Sequence, residues 1–163
     1  MKTHFRFPLL ALFATTVLVS SCKKENDSEP GPKAQTKTEL LSGKDWVMTA
    51  QTVDPGLVDD NGKVVTDLFP YLNACDKDDL MRFETNGSCT LNEGPSRCDP
   101  SSPQQYTGSW SFDSNETVLK TTLQGMGSSS YNIVELSDKT LKVSGTRNLD
   151  GDNYRFTYTY AKK

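Results

Sequence analysis

The sequence predicts an all-β domain, an eight-stranded up-and-down antiparallel barrel with a short helical turn capping one end. Three observations predict it. From Leu40 onward, apolar and polar residues alternate with a period of two. Turn-forming Gly, Pro, Asn and Asp interrupt that alternation at intervals of about 8–12 positions. No stretch sustains helical spacing for three turns.

A first strand is expected at 44–53, with Trp46, Met48 and Ala50 on one face and Val47, Thr49 and Gln51 on the other. Asp54-Pro55-Gly56 should end it. Between positions 64 and 78 the alternation fails, and Asp67-Leu68-Phe69-Pro70-Tyr71-Leu72 reads as a short helical turn whose apolar side can cover a barrel mouth. Residues 79–91 then form two strands around Asn86-Gly87. A two-residue loop would set Leu91 opposite Arg82. A three-residue loop with Gly87 in the left-handed conformation pairs Phe83 with Cys89 and Met81 with Leu91, placing like beside like. The second register is preferred.

Tyr106, Gly108, Trp110 and Phe112 alternate with Thr107, Ser109, Ser111 and Asp113, and Gly108 marks a bend. Shorter strands follow at 117–123, 130–136 and 140–146. The last, at 152–160, sets Tyr154, Phe156, Tyr158 and Tyr160 on one face, after a hairpin turn at Asp150-Gly151. Eight short strands joined mostly by short connections suit closure, which removes the exposed edges of an open sheet. A barrel of this size is filled by its own side chains or holds one small ligand.

The amino terminus has a different character. Residues 1–21 combine Lys2 and Arg6, an apolar stretch over positions 8–19, and small residues before Cys22. A dozen apolar residues fall short of the roughly 20 a spanning helix needs, so the segment reads as an export signal. Leu18-Val19-Ser20-Ser21-Cys22 resembles a bacterial lipobox, in which the thiol of the cysteine is acylated and becomes the new first residue. An ordinary signal peptide ending near Ser21 is the alternative. Residues 22–38 hold nothing to bury and read as a tether, leaving 39–163 as the folded domain. The expected partner is the lipid bilayer, reached through acylated Cys22. The expected location is the bacterial envelope, as an outer-membrane lipoprotein facing the periplasm or the surface.

Gly43-Lys44-Asp45-Trp46, Asp67-Leu68-Phe69-Pro70, Ala74-Cys75-Asp76-Lys77-Asp78-Asp79, Phe83, Asn86-Gly87, Cys98-Asp99-Pro100 and Gly108-Ser109-Trp110 together resemble the lipocalin-like domain family of bacterial lipoproteins. The resemblance spans about 40–160 and implies a small lipocalin-type barrel. Two residues, rather than one, separate Gly43 from Trp46, and Cys89 stands where the family usually carries an aromatic or aliphatic side chain.

Three cysteines remain once Cys22 is set aside. Cys75 and Cys98 flank the Asn-Gly hairpin in turn-rich connections, while the chosen register points Cys89 into the core. The expected disulfide is Cys75–Cys98, which also matches the family pattern; three free thiols or another pairing are the alternatives. Closing that loop would contribute about 3 kcal/mol.

Composition excludes several functions. Removing the two cations of the leader takes the formal net charge from −3 to −5, which disfavours nucleic acid as a partner. The sole histidine is His4, so residues 22–163 have no imidazole for a catalytic triad or dyad and none for a zinc site. No enzyme activity, cofactor or metal is expected. Acidic runs at Asp76, Asp78 and Asp79 and at Asp150 and Asp152 read as turn and capping residues.

What remains is an inward face: Trp46, Met48, Phe83, Trp110, Phe112, Tyr131, Phe156 and Tyr158. These residues either fill a narrow barrel or line a cavity for a small hydrophobic or amphipathic ligand. Apolar content after the leader is only about 30%, low for a soluble domain, which makes a roomy apolar pocket harder to sustain. The second functional reading is a filled barrel whose loops, especially 94–105 with Pro95, Pro100 and Pro103, present a surface to an envelope protein or glycan.

Overall fold

The computed structural model describes residues 34–113 and 115–163. The expected export signal at 1–21, Cys22, and the tether up to residue 33 lie outside the described residues.

The described chain begins in a helix, α1 (Lys37–Leu41), which the alternation gives no reason to expect. It forms because Thr36 and Glu39 make a capping box, in which the Thr36 hydroxyl accepts from the Glu39 N–H and the Glu39 carboxylate accepts from the Thr36 N–H. Residues 36–38, placed in the tether on composition, are therefore the cap and first turn of this helix.

Nine strands come after it: β1 (Asp45–Val58), β2 (Val64–Asp67), β3 (Leu80–Phe83), β4 (Ser88–Asn92), β5 (Gln105–Phe112), β6 (Val118–Leu123), β7 (Gly127–Leu136), β8 (Thr140–Leu149) and β9 (Asp152–Lys162). All neighbours pair antiparallel, and β1 pairs with both β3 and β9. That double pairing closes β1 and β3–β9 into an eight-stranded barrel. β2 pairs only with β1 and stands outside the closure.

The first strand departs from expectation twice. It runs through Asp54-Pro55-Gly56 to Val58 and turns back into β2, so those residues do not end it. A proline is tolerated there because the β1–β2 register shifts between Thr52 and Leu57, leaving an irregular stretch that needs no ladder donor. A bulge also falls between Met48 and Ala50 opposite Tyr160 and Thr159. One extra residue reverses the parity of the rest of the strand, so Val53 rather than Ala50 continues the inward face of Trp46 and Met48, and Val53 is buried.

Other elements match the reading. In the β3–β4 hairpin Phe83 faces Cys89 and Met81 faces Leu91, with Gly87 at φ 84°. Asp150-Gly151 makes the β8–β9 turn between Leu149 and Asp152. Gly108 sits where β5 and β6 cross so closely that a Cβ would lie 1.9 Å from the Thr122 carbonyl oxygen. Only glycine fits there.

The strand directions give the barrel two different ends. At one end lie helix α1 and the β3–β4, β5–β6 and β7–β8 turns. Here Leu41 and Trp46 are completely buried, and Phe83, Cys89 and Trp110 complete the floor. Trp110 meets the rings of Phe83 and Phe112 edge to face at 5.7 and 5.2 Å, and its Nε1 donates to the Glu84 carbonyl at 2.8 Å. The Lys37 ammonium reaches across to the Glu116 carbonyl, and the Gly43 N–H donates to the Phe83 carbonyl.

At the other end lie the β2–β3 and β4–β5 connections and the β6–β7 and β8–β9 turns. The helical turn expected at 67–72 forms here as a single 3-10 turn, Phe69–Tyr71, succeeded by a one-turn helix α2 (Ala74–Lys77). The 3-10 turn packs beside β1, with Leu68 against the core and Tyr71 turned outward. Cys75 and Cys98 form the disulfide, tying together the two connections that flank the β3–β4 hairpin.

Candidate functional site

The barrel encloses a cavity of about 370 Å³ above the aromatic floor. Its apolar wall comes from inward positions of successive strands: Met48, Met81, Leu91, Leu119, Leu141 and Val143 among them. Polar side chains interrupt that wall at Asp79, Thr121, Ser129, Tyr131, Arg147 and Tyr160, and Leu123, Met126 and Gly127 carry the lining to the β6–β7 turn at the open end. Alternation places these residues as much as chemistry does. Asp79, Met81 and Phe83 share one parity on the way into β3, and Leu141, Val143, Gly145 and Arg147 share one on β8.

Of the eight residues expected to face the interior, Met48, Phe83 and Tyr131 line this cavity. Trp46, Trp110 and Phe112 lie in or against the floor, as packing rather than as cavity wall. Tyr158 meets Tyr131 edge to face at 5.7 Å, and with Ser129, Ser130, Thr146 and Arg147 they line an adjoining cleft of about 180 Å³. Phe156 is buried beneath the Arg147 guanidinium, which lies 5.3 Å from its ring centroid. The inward face thus both fills the barrel at its floor and leaves it open above.

Among the cavity residues outside the expected site, three carry ionisable side chains: Tyr160, Asp79 and Arg147. Tyr160 belongs to the expected inward face of β9 but not to the expected site. Asp79 groups by sequence with Asp76 and Asp78 as a turn acid, and those two do serve that role. Asp76 accepts from the backbone and side chain of Asn73, and Asp78 accepts from the N–H and hydroxyl of Ser96. Asp79 instead faces inward, and its Oδ1 is shielded from solvent without a hydrogen-bond partner. The available signal is its spacing of two and four residues from Met81 and Phe83. Arg147 carries the same signal relative to Val143 and Gly145.

The electrostatics result from this placement. Burial raises the Asp79 carboxyl to about 7, and the negative charges of Glu93, Asp76 and Asp78 push the same way. Burial pushes the Tyr160 phenol well above its usual range, helped by Tyr131, Tyr158 and Asp79. Tyr158 is also raised by burial, although the nearby Arg147 guanidinium, within hydrogen-bonding reach, pulls in the opposite direction. Cys89 is a free, buried thiol that burial holds in the protonated form, so it packs as a small apolar group.

Comparison with known proteins identifies the family. The profile of the lipocalin-like domain matches residues 41–143. No curated protein matches the chain. Among solved structures, a lipocalin-like protein from Bacteroides uniformis is similar at 12% identity and a TM-score of 0.44, covering 76% of this chain and 99% of that one. A bovine odorant-binding protein, solved in complex with a selenium-containing odorant, is similar at 14% identity and a TM-score of 0.41, covering 82% of this chain and 77% of that one. The closed eight-stranded barrel and the profile match over most of the folded residues agree, and the chain belongs to the lipocalin-like domain family.

Proposed function

We propose that this chain is a non-enzymatic binding protein of the bacterial envelope, anchored through acylated Cys22, which holds a small amphipathic molecule in its barrel. The observation that carries the reading is the cavity: about 370 Å³, mainly apolar with a few polar side chains in its wall. That volume is within the range of about 300–1,000 Å³ in which small molecules are held, and its few polar groups suit a ligand with one polar end. Membership of the lipocalin-like family supports the same use of the interior.

Anchoring rests on the sequence. The lipobox-like run ending at Cys22 and the polar tether behind it suit a domain held at a membrane surface. The non-enzymatic reading rests on the absence of any histidine other than His4 and on a cavity lining in which Asp79 has no second carboxylate beside it. A barrel with open interior volume favours ligand carriage over the alternative in which a filled barrel only displays its loops.

Native mass spectrometry of the full chain, extracted gently from membranes, tests the reading. The expected spectrum shows the acylated protein with a small organic adduct that leaves on solvent extraction. A protein that is empty as isolated, and that takes up no amphiphile when titrated, would overturn ligand carriage. A Cys22→Ser variant that still partitions with membranes would overturn the anchor.

A further inference from the structure

We propose that the barrel cavity selects cationic amphiphiles, an amine on an apolar body, with the ammonium pairing with the carboxylate of Asp79. This inference rests on the ligand-binding reading above and names its chemical class.

The cavity wall holds a carboxylate, Asp79, that no cation of the described residues pairs with. Asp79 lines the cavity wall, and within that side chain Oδ1 is shielded from solvent and accepts no hydrogen bond. An ionised carboxylate is acceptor-only, so what completes it must be a donor. Leaving a partly buried carboxylate without a counter-charge is unfavourable, and a cation that pairs with it offsets that cost on binding.

The surroundings select the sign of the donor. The charged groups that act on Asp79 are Glu93 from the β4–β5 connection and Asp76 and Asp78 from the α2 segment, all acids. Tyr160 faces it from β9 as a neutral phenol. Among the described residues no lysine or arginine forms an ion pair with Asp79. Arg147, the cation of the cavity wall, is held over Phe156 and beside Tyr158. A cationic head entering at Asp79 therefore meets a surplus of negative charge, while its apolar body meets Met48, Met81, Leu91, Leu119 and Val143. The carboxyl is ionised at about pH 8, above the value of about 7 to which burial and its acidic neighbours raise it.

The test is calorimetric titration of the full chain at about pH 8 with decylamine, decanol and decanoate, one chain length with three head groups, all below their aggregation concentrations. Decylamine should bind at least about tenfold more tightly than either of the others, a difference of about 1.4 kcal/mol. Asp79→Asn should remove that preference, lowering decylamine affinity at least about tenfold. If decanol or decanoate binds as tightly as decylamine, or the Asn variant keeps the amine preference, the inference is wrong while ligand carriage stands. If none of the three binds, both fail. Because the wild-type head-group series decides by itself, a variant that fails to fold does not remove the test.

Discussion

The indole Nε1 of Trp46 donates to the carbonyl of Leu41 at 2.9 Å, and both residues are completely buried. One bond thus locks the end of α1 to the first turn of β1 and closes the floor of the barrel. The helix is only five residues long and is held by this packing rather than by its own propensity. Leu41→Ala should cost about 2–5 kcal/mol, the range for emptying a well-packed leucine site. Trp46→Phe removes the donor and should cost about 1–3 kcal/mol through the orphaned carbonyl alone. Urea unfolding of each variant measures this; a loss below about 0.5 kcal/mol for Leu41→Ala would mean that the helix does not close the barrel.

The disulfide works at the opposite end. Cys75 and Cys98 are 23 positions apart and bridge two connections of the open rim, so they restrict the unfolded chain without forming part of the core. Replacing both with serine should lower stability by about 3 kcal/mol in oxidising buffer. The folded variant should keep its far-ultraviolet circular dichroism. An unchanged urea midpoint would contradict this role for the crosslink.

Gly108 is a steric requirement of the barrel. A methyl there would strike the Thr122 carbonyl oxygen and carbon and the Leu123 Cα, backbone atoms that cannot rotate aside. Gly108→Ala should therefore destabilise by about 3 kcal/mol or more, beyond typical overpacking. Hydrogen exchange should show β5 and β6 opening before other strands, and uniform exchange across the sheet would argue against a local cause.

These relationships show where alternation suffices as a guide and where it does not. The paired faces of β5 and β9 are legible because their chemistry repeats every second residue, the Asn86-Gly87 register because its turn residues fix the pairing, and the Cys75–Cys98 bridge because that register turns Cys89 inward and leaves two cysteines in the flanking connections. The bulge after Met48 is not, because Trp46, Met48 and Ala50 continue a perfect alternation on paper; the extra residue is set by pairing with Tyr160 and Thr159, which lie over 100 positions away. Helix α1 is signalled only by Thr36 and Glu39, in a stretch too short for apolar periodicity. Asp79 and Arg147 escape notice for another reason. Charged residues are assigned to solvent by default, and the inner face of a barrel near its mouth is where that default fails.

Asp79 should leave a signature in the pH dependence of stability. Its folded value of about 7 lies above its unfolded value near 3.8, so between these limits the folded protein keeps a proton that the unfolded chain has released. Its contribution is present in full below about pH 4, declines as pH rises to about 7, and is gone above that. Asp99, Asp113 and Asp138 have lowered values, from their hydrogen bonds with Ser101, Thr117 and Lys44 respectively, and act oppositely. Their contributions hold at neutral pH and are lost as pH falls below about 4. With no histidine beyond His4, the window from about pH 4.5 to 7.5 belongs mainly to Asp79. Thermal midpoints should fall across it in the wild type and stay nearly level in Asp79→Asn. Parallel curves for the two proteins would show that Asp79 titrates normally.

The central claim is that the upper barrel is open volume rather than packed core, and filling it is the most direct measurement. Val143 is buried on the cavity wall, and Val143→Phe adds a ring that projects into the space above the floor. An open interior predicts an unfolding free energy within about 1 kcal/mol of wild type, with decanol affinity reduced at least about tenfold. A loss of about 3 kcal/mol or more, as expected for overpacking a filled core, with amphiphile binding unchanged, would contradict it.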